Sequence, residues 1–300
     1  NGNGITWESG GGAYAAAWYN ESKDYVSWYW KAGGNKNTFN VDDVGYASAS
    51  DVNMSVGALN SALYNESAVW SDNLVSSTGA YASGQGPTQA FNGVSDGSTD
   101  MCQQNSAGGN LTWTFTGLSG SVRVWIGNDG ATITDGNGIA RGSNDGNGET
   151  WLSLSGDISD YNGSIIITPS SDSPSLGAVE VAGKMLVDDD QTPPDLPTVA
   201  ATGASVGTKQ GFSITVQTAI SGSGDTMRIA HGLTQKPDFI IGKDLDNGST
   251  NWGVYHSYLG ATNKVDLDTT GASAANANYW ANTEPTSSVI YSNAASWMYT

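Results

Sequence analysis

The side chains able to do acid–base or nucleophilic chemistry are few and scattered. There are two histidines, His231 in "IAHGL" and His256 in "NWGVYHSYL", and one cysteine, Cys102 in "TDMCQQ". His231 falls at an expected strand end before a glycine turn, and His256 alternates with Tyr255. Each is expected to make a local hydrogen bond rather than to act as a base. No basic residue stands near Cys102 to lower its pKa, so the thiol reads as buried and inert. Glycoside hydrolysis needs two carboxyl groups about 5–10 Å apart. Asp96 with Asp100, or Asp157 with Asp160, could come that close, but both pairs lie in polar loops where a solvated turn residue is the default. Asp244, Asp246, Asn247 and Gly248 in "KDLDNGST" share letters with a calcium loop but lack its length and terminal Glu. An Asn-Gly hairpin turn accounts for them better. No GxSxG, HExxH or phosphate-loop pattern occurs. The chain is therefore read as non-enzymatic, with no catalytic residue, no metal ligand set and no cofactor assigned, although its carboxylates could gather Ca²⁺ weakly.

Binding is the chemistry that remains. Eleven tryptophans and 13 tyrosines are many for 300 residues, and exposed rings beside Asn, Asp and Gln suit sugar recognition. No set of binding residues emerges from spacing alone. Trp125 and Glu180 are singled out because each points away from the aliphatic set of its own strand. Trp125 is expected to be exposed or covered by a neighbouring subunit, with the covered arrangement preferred.

The surrounding composition bounds the rest. Twenty-nine acids against 11 bases leave a net charge of −18, which repels nucleic acid and anionic membrane, so neither is expected as a partner. The single cysteine allows no disulfide within the chain. No apolar run approaches the length of a membrane span. Forty glycines, with Asx and Ser/Thr clusters every eight to twelve residues, fit a chain of short strands. Asn-x-Ser/Thr triplets begin at Asn20, Asn53, Asn65, Asn110, Asn162 and Asn247 and are read as chance in such a composition. The chain opens without methionine and reads as an interior piece of something longer.

Period-2 alternation places the strands. "YVSWYWKAGG" sets Val26, Trp28 and Trp30 on one face and stops at Gly33 and Gly34. "NTFNVDDVGYASAS" reads as a linker. Ala13 to Trp18 could hold a short helix, and Val52, Val56, Leu59 and Leu63 mark one face of another, capped by Ser50 or Asp51. In "NLTWTF" and "SVRVWIG", Leu111, Trp113, Phe115, Val122, Val124 and Ile126 point inward, and in "TWLSLSG" so do Leu152 and Leu154. "GSIIITP" reads as a strand buried on both faces, and Ala182-Gly183 as a tight hairpin turn. The predicted order is residues 1–46, the end of a first β unit plus linker; 47–63, a short helix or linker; 64–187, a β-sandwich module; 188–210, a Pro/Asp-rich linker; and 211–300, the start of a second β unit. The fold class is all-β, a multi-module, jelly-roll-like β-sandwich chain with polar linkers.

Several phrases carry a resemblance. "QGFSI", "IAHGLTQKPDFIIGKD", "NWGVYHSYLGAT", "YWANTEPTSSVIYS" and "YVSWYWKAGG" resemble parts of a unit repeated in tandem in tail-fibre-like proteins of marine tailed phages. "AVWSDNLVSSTGAY", "PTQAFNGVSDGST" and "VEVAGKMLVDDD" are similar to a module found beside that unit, and "AFNGVSDGST" also resembles the opening loop of discoidin-type carbohydrate-binding sandwiches. The opening "NGNGITWESGGGAYAAAWYNE" matches neither. The resemblance implies a structural and adhesive part of a virion-surface appendage, working outside the cell on the particle. Its implied partners are further copies of itself as a homo-oligomer, in such fibres a trimer, other virion proteins and host surface glycans. The rival readings are a purely structural decoration protein, a bacterial surface-layer or adhesin array, and a polysaccharide depolymerase.

Overall fold

The computed structural model describes residues 38–95, 100–127, 130–146, 148–218, 226–246, 249–276 and 278–293. The expected strand at Tyr25–Lys31 and helix at Ala13–Trp18 lie outside them. The described residues are strand-rich, as the alternating pattern predicts. Among them, no helix is long and apolar enough to cross a membrane.

The first two strands, β1 (Phe39–Val41) and β2 (Val44–Tyr46), form a hairpin across Asp42-Asp43, both with positive φ. Residues that the composition marked as linker are thus sheet. A helix, α1 (Val56–Leu63), follows. Its N-cap is Ser55, not Ser50 or Asp51, and no side chain bonds there. The Asp51 carboxylate instead accepts from the amide and hydroxyl of Ser48. Of the expected apolar face only Leu59 is buried, and Val56 is exposed.

The sandwich is built from β3 (Tyr64–Asn65), β4 (Leu74–Ser76), β5 (Cys102–Gln103), β6 (Leu111–Thr114), β7 (Val122–Ile126), β8 (Ala131–Asp135), β9 (Ala140–Asn144), β10 (Thr150–Ser153), β11 (Ser164–Pro169), β12 (Ser175–Leu176), β13 (Ala178–Val181) and β14 (Lys184–Leu186). One sheet runs β10-β7-β13-β14-β3 and the other β4-β6-β11-β8-β9. Leu111, Trp113, Val122, Val124, Ile126, Ile133, Ile165, Ile167 and Val179 join in one core, so period 2 in the sequence becomes one dry face per sheet. The strand β11 departs from expectation: Ile165 and Ile167 are buried but Ile166 is only half-buried, because the sheet has a second, wetter side. The β13–β14 hairpin turns at Ala182 and Gly183, both with positive φ, the backbone of a tight primed turn.

The last strands are β15 (Ala201–Gly207), β16 (Phe212–Gln217), β17 (Thr226–Ala230), β18 (Phe239–Gly242), β19 (Gly253–His256), β20 (Asn263–Asp266), β21 (Ala274–Ala275) and β22 (Val289–Asn293). β17 pairs with β22, and β18-β19-β20-β21 form a sheet over Tyr255, Trp280 and Ile290.

Two boundaries are corrected here. Residues 188–210 are not a free linker: Asp188 and Leu196 are buried, and β15 lies within the span. The break before residue 47 also fails, because β1 pairs in parallel with β15, Phe39 opposite Ala204 and Val41 opposite Val206, in the sheet β16-β15-β1-β2. Prolines and acids stop a regular ladder but do not stop a segment from packing. A second core then gathers Phe39, Met54, Leu59, Tyr64, Val187, Leu196, Ala204, Val206, Ala230 and Val289. The sandwich is therefore inserted between strands of one sheet.

His231 directly follows β17 inside this assembly. It is 5% exposed. Its Nδ1 accepts from the Leu233 amide at 3.1 Å, which makes Nε2 the donor to the Thr286 carbonyl at 3.2 Å. Burial lowers its pKa from 6.5, against the Thr286 bond, which favours the charged ring. The unfolded chain thus binds a proton that the folded chain resists. Stability is whole above pH 6.5 and is lost as pH falls below it. The melting midpoint should hold steady from about pH 8 to 7 and drop on further acidification, and His231→Gln should flatten that drop. A midpoint insensitive to pH in the wild type would refute the assignment.

Met54 offers a second check. It is fully buried, and its carbonyl accepts from the Ala201 amide that begins β15. Met54→Ala should cost about 2–4 kcal/mol by chemical denaturation, from lost burial and the cavity left behind.

Candidate functional site

Arg123 and Trp125 point outward from β7 because Val122, Val124 and Ile126 point inward. Register supplies their neighbours. Trp125 lies opposite Trp151 on one side and Ala178 on the other. Arg123 lies opposite Ser153 and Glu180. The outer face of this sheet thus carries two tryptophans side by side, with a cation and an anion in the next row.

The geometry is tight. The indoles of Trp125 and Trp151 meet edge to face, with centroids 5.8 Å apart and planes at 73°, a preferred arrangement for ring quadrupoles. The Arg123 guanidinium stands 4.3 Å over the Trp151 ring and donates to the Glu180 carboxylate at 2.5 Å. A cation held over an indole face is worth about 0.5–1 kcal/mol at an exposed site. Gly177 makes room: a Cβ there would sit 2.4 Å from Cδ1 of Trp125. Trp125 is covered from within its own chain, by Trp151 and the bare backbone at Gly177, and both tryptophans remain half-exposed. The Trp125 indole N–H and the Arg123 Nε–H have no acceptor among the described residues.

The strand β10 borders a second feature. An open cleft of about 360 Å³ lies between the edge strands β9 and β10, lined by Ser143, Asn144, Asp145, Thr150 and Leu152. Gly142 lets the two strands approach, since a Cβ there would meet the Leu154 and Leu152 side chains at 2.9 and 3.2 Å. Hydroxyls, an amide and a carboxylate surround one aliphatic side chain. That is a small polar-and-apolar mixture of the kind that orients a polar ligand.

The other sequence candidates are spent on structure. Asp157 caps a 3-10 turn (Ile158–Asp160), and its Oδ1 accepts from the amides of Gly120 and Ser159 and from the Ser159 hydroxyl. The Gly120 and Ser159 amides, in that order, hold its carboxyl below the ordinary carboxylate pKa. Asp96 lies outside the described residues. Cys102 is buried, and burial pushes its thiol up to about 12. The His256 Nδ1 accepts from the Tyr258 amide at 3.1 Å. Asp244 Oδ1 accepts from the Asp246 amide in a turn, and Asn247-Gly248 lie outside the described residues. Asp188 Oδ1 takes the Ser71 amide at 3.0 Å, which ties the acidic run to the sandwich. Among the described residues, no group of three or more His, Cys, Asp or Glu could hold a metal ion.

Sequence reasoning missed Trp151 and Arg123 as partners of Trp125. Parity alone signals that Arg123 and Trp125 share a face. Nothing local signals that β10 aligns Trp151 with them. It also missed the ion pair of Asp135 and Arg141, which is sunk under the β8–β9 hairpin. Asp135 Oδ2 accepts from Nε and Nη2 of Arg141, and Oδ1 accepts from the amides of Asn137 and Ile139. Burial acts to raise the Asp135 pKa, but those bonds outweigh it and hold it below 3.8.

Comparison with known proteins reaches one part of the chain. A family model described as a domain of unknown function (DUF7483) matches residues 198–298, a span that takes in β15 to β22 but neither the sandwich nor β1, β2 and α1. No curated protein and no solved structure matches the chain.

Proposed function

We propose that this chain is a non-catalytic structural and adhesive segment of a phage tail fibre or similar virion-surface appendage, and that its sandwich binds host-surface glycan. The observation that carries the adhesive part is the paired Trp125 and Trp151 on an outer sheet face, flanked by Arg123 and Glu180. A sugar ring presents a C–H face to an indole and hydroxyls to charged and polar groups, and this face offers both. The cleft beside β10 adds hydroxyls and a carboxylate within the same edge of the sandwich. The virion setting rests on the resemblance of the repeated phrases to phage appendage proteins. The segment is read as a homo-oligomer, with a trimer implied by that resemblance. A weak single site would gain avidity from the several copies that an appendage displays.

A purely structural decoration protein is the rival reading, and the two part at one measurement. The full chain, screened against bacterial surface polysaccharides, should bind a subset of them. Trp151→Ala should weaken that binding by at least about tenfold, the loss of about 1.4 kcal/mol expected for a central aromatic anchor. Retention of the wild-type circular dichroism melt would show that the variant still folds. No binding to any polysaccharide, or binding untouched by Trp151→Ala, would refute the glycan reading. Release of reducing sugar ends would point instead to a depolymerase.

A further inference from the structure

The solvent side of the sheet β18-β19-β20 is apolar where an antiparallel sheet ordinarily turns polar residues to water. Register sets the face. Phe239 lies opposite His256, Ile241 opposite Val254, and Val254 opposite Val265. The ladder runs one step further, since the Leu267 amide donates to the Trp252 carbonyl at 2.9 Å. Ile240 and Tyr255 point the other way, into the core beside Trp280. Phe239 is 52% exposed, Ile241 38%, Trp252 43% and Leu267 58%. Together they expose on the order of 400 Å² of apolar surface, as much as the largest patch on a typical monomer.

We propose that this face is a self-association surface whose occupant is the same face of a second copy of the chain, related by a two-fold axis. The proposal rests on the homo-oligomer reading above but departs from the trimer that the resemblance implies. Four observations favour a second copy over a glycan or a charged partner. The face positions Phe239, Ile241, Trp252, His256, Asn263, Val265 and Leu267, set around a buried Val254, include no Asp, Glu, Lys or Arg. On a chain of net charge −18, it is a surface where two copies can meet without setting carboxylate against carboxylate. Its groups are mainly aliphatic and aromatic, with His256 and Asn263 the polar side chains, which suits burial against a like surface better than hydroxyl recognition. Its apolar area is about half of the roughly 800 Å² per partner in a standard interface. Rim residues such as Asp268, whose carboxylate accepts from the Trp252 amide, would supply the polar remainder. β18 is also the edge strand of its sheet, and an edge strand beside an apolar face invites pairing.

Sedimentation of the full chain across micromolar concentrations, at low and at high salt, tests this. The wild type should form a dimer that tightens with salt, because screening shortens the repulsion between acidic chains. The double variant Ile241→Lys/Leu267→Lys should raise the dimer dissociation constant at least tenfold with an unchanged melt. Val75→Lys, an equally exposed apolar position on the sandwich, should leave it alone. Should the double variant fail to fold, Ile241→Cys decides. Cys102 is buried, so a bulky maleimide will attach at the new thiol and should block dimer formation, and a labelled chain that still dimerises would overturn the proposal. A wild-type oligomer that the lysines leave intact would overturn this face and spare the homo-oligomer reading. A wild-type monomer at every concentration and salt would overturn both.

Discussion

The parallel pairing of β1 with β15 is the constraint on which the described architecture hangs. It brings Phe39–Val41 against Ala204–Val206, and the Asp42-Asp43 turn fastens the pairing. Asp42 takes the Thr208 amide on one oxygen and the Thr208 hydroxyl on the other, across 166 positions of sequence. The Asp42 amide in turn donates to the Val206 carbonyl. Closing so long a loop carries an entropic cost that grows only slowly with length. A handful of ladder bonds and a buried cluster around Met54 can therefore hold it. With that closure made, the chain must leave the sheet after β2, pass through α1, build the sandwich and return through residues 188–200.

That return explains why an acid- and proline-rich segment is packed. Asp188 bonds the Ser71 amide and donates its own amide to the Phe91 carbonyl. Arg228 reaches from β17 to the Pro194 carbonyl, and Tyr291 donates to Asp195. The segment lies between two cores and contributes Leu196 to the second, next to Val187 at its entry. A recurrent use of the surplus acids follows. Asp42, Asp135, Asp157 and Asp188 each accept backbone amides at a turn or junction, so part of the acidity serves to satisfy donors that strand ends leave open.

The two surfaces proposed as functional differ in kind. The Trp125–Trp151 pair is half-buried, crossed by an ion pair and bordered by hydroxyls, which suits a polar ligand held by a few directed contacts. The Phe239–Leu267 face is mainly apolar and free of fixed charge, which suits burial against protein. They sit on different modules, one on the sandwich and one within the span that matches a family model. The proposed binding and the proposed assembly can therefore be disabled separately.

The amino-acid sequence by itself determined the all-β class, most strands and, in strands such as β6 and β7, which side chains face inward, because a period of 2 is a local property of the chain. Leu111, Trp113, Val122 and Val124 are buried as their alternation requires, and the Ala182-Gly183 turn lies where the paired residues mark it. The outward placement of Trp125 was legible in the same way, as was the turn position of His231. Only the tertiary structure decided what those residues meet. Strand register and partner choice depend on contacts between segments far apart in sequence. Trp151 therefore could not be matched to Trp125, nor Phe39 to Ala204. A run such as "VDDDQTPPDLP" states that no ladder continues through it, and says nothing about whether it lies in water or against a core. The apolar face of β18-β19-β20 was hidden for the same reason: alternation shows that two sides exist, and only packing shows which of them is left uncovered.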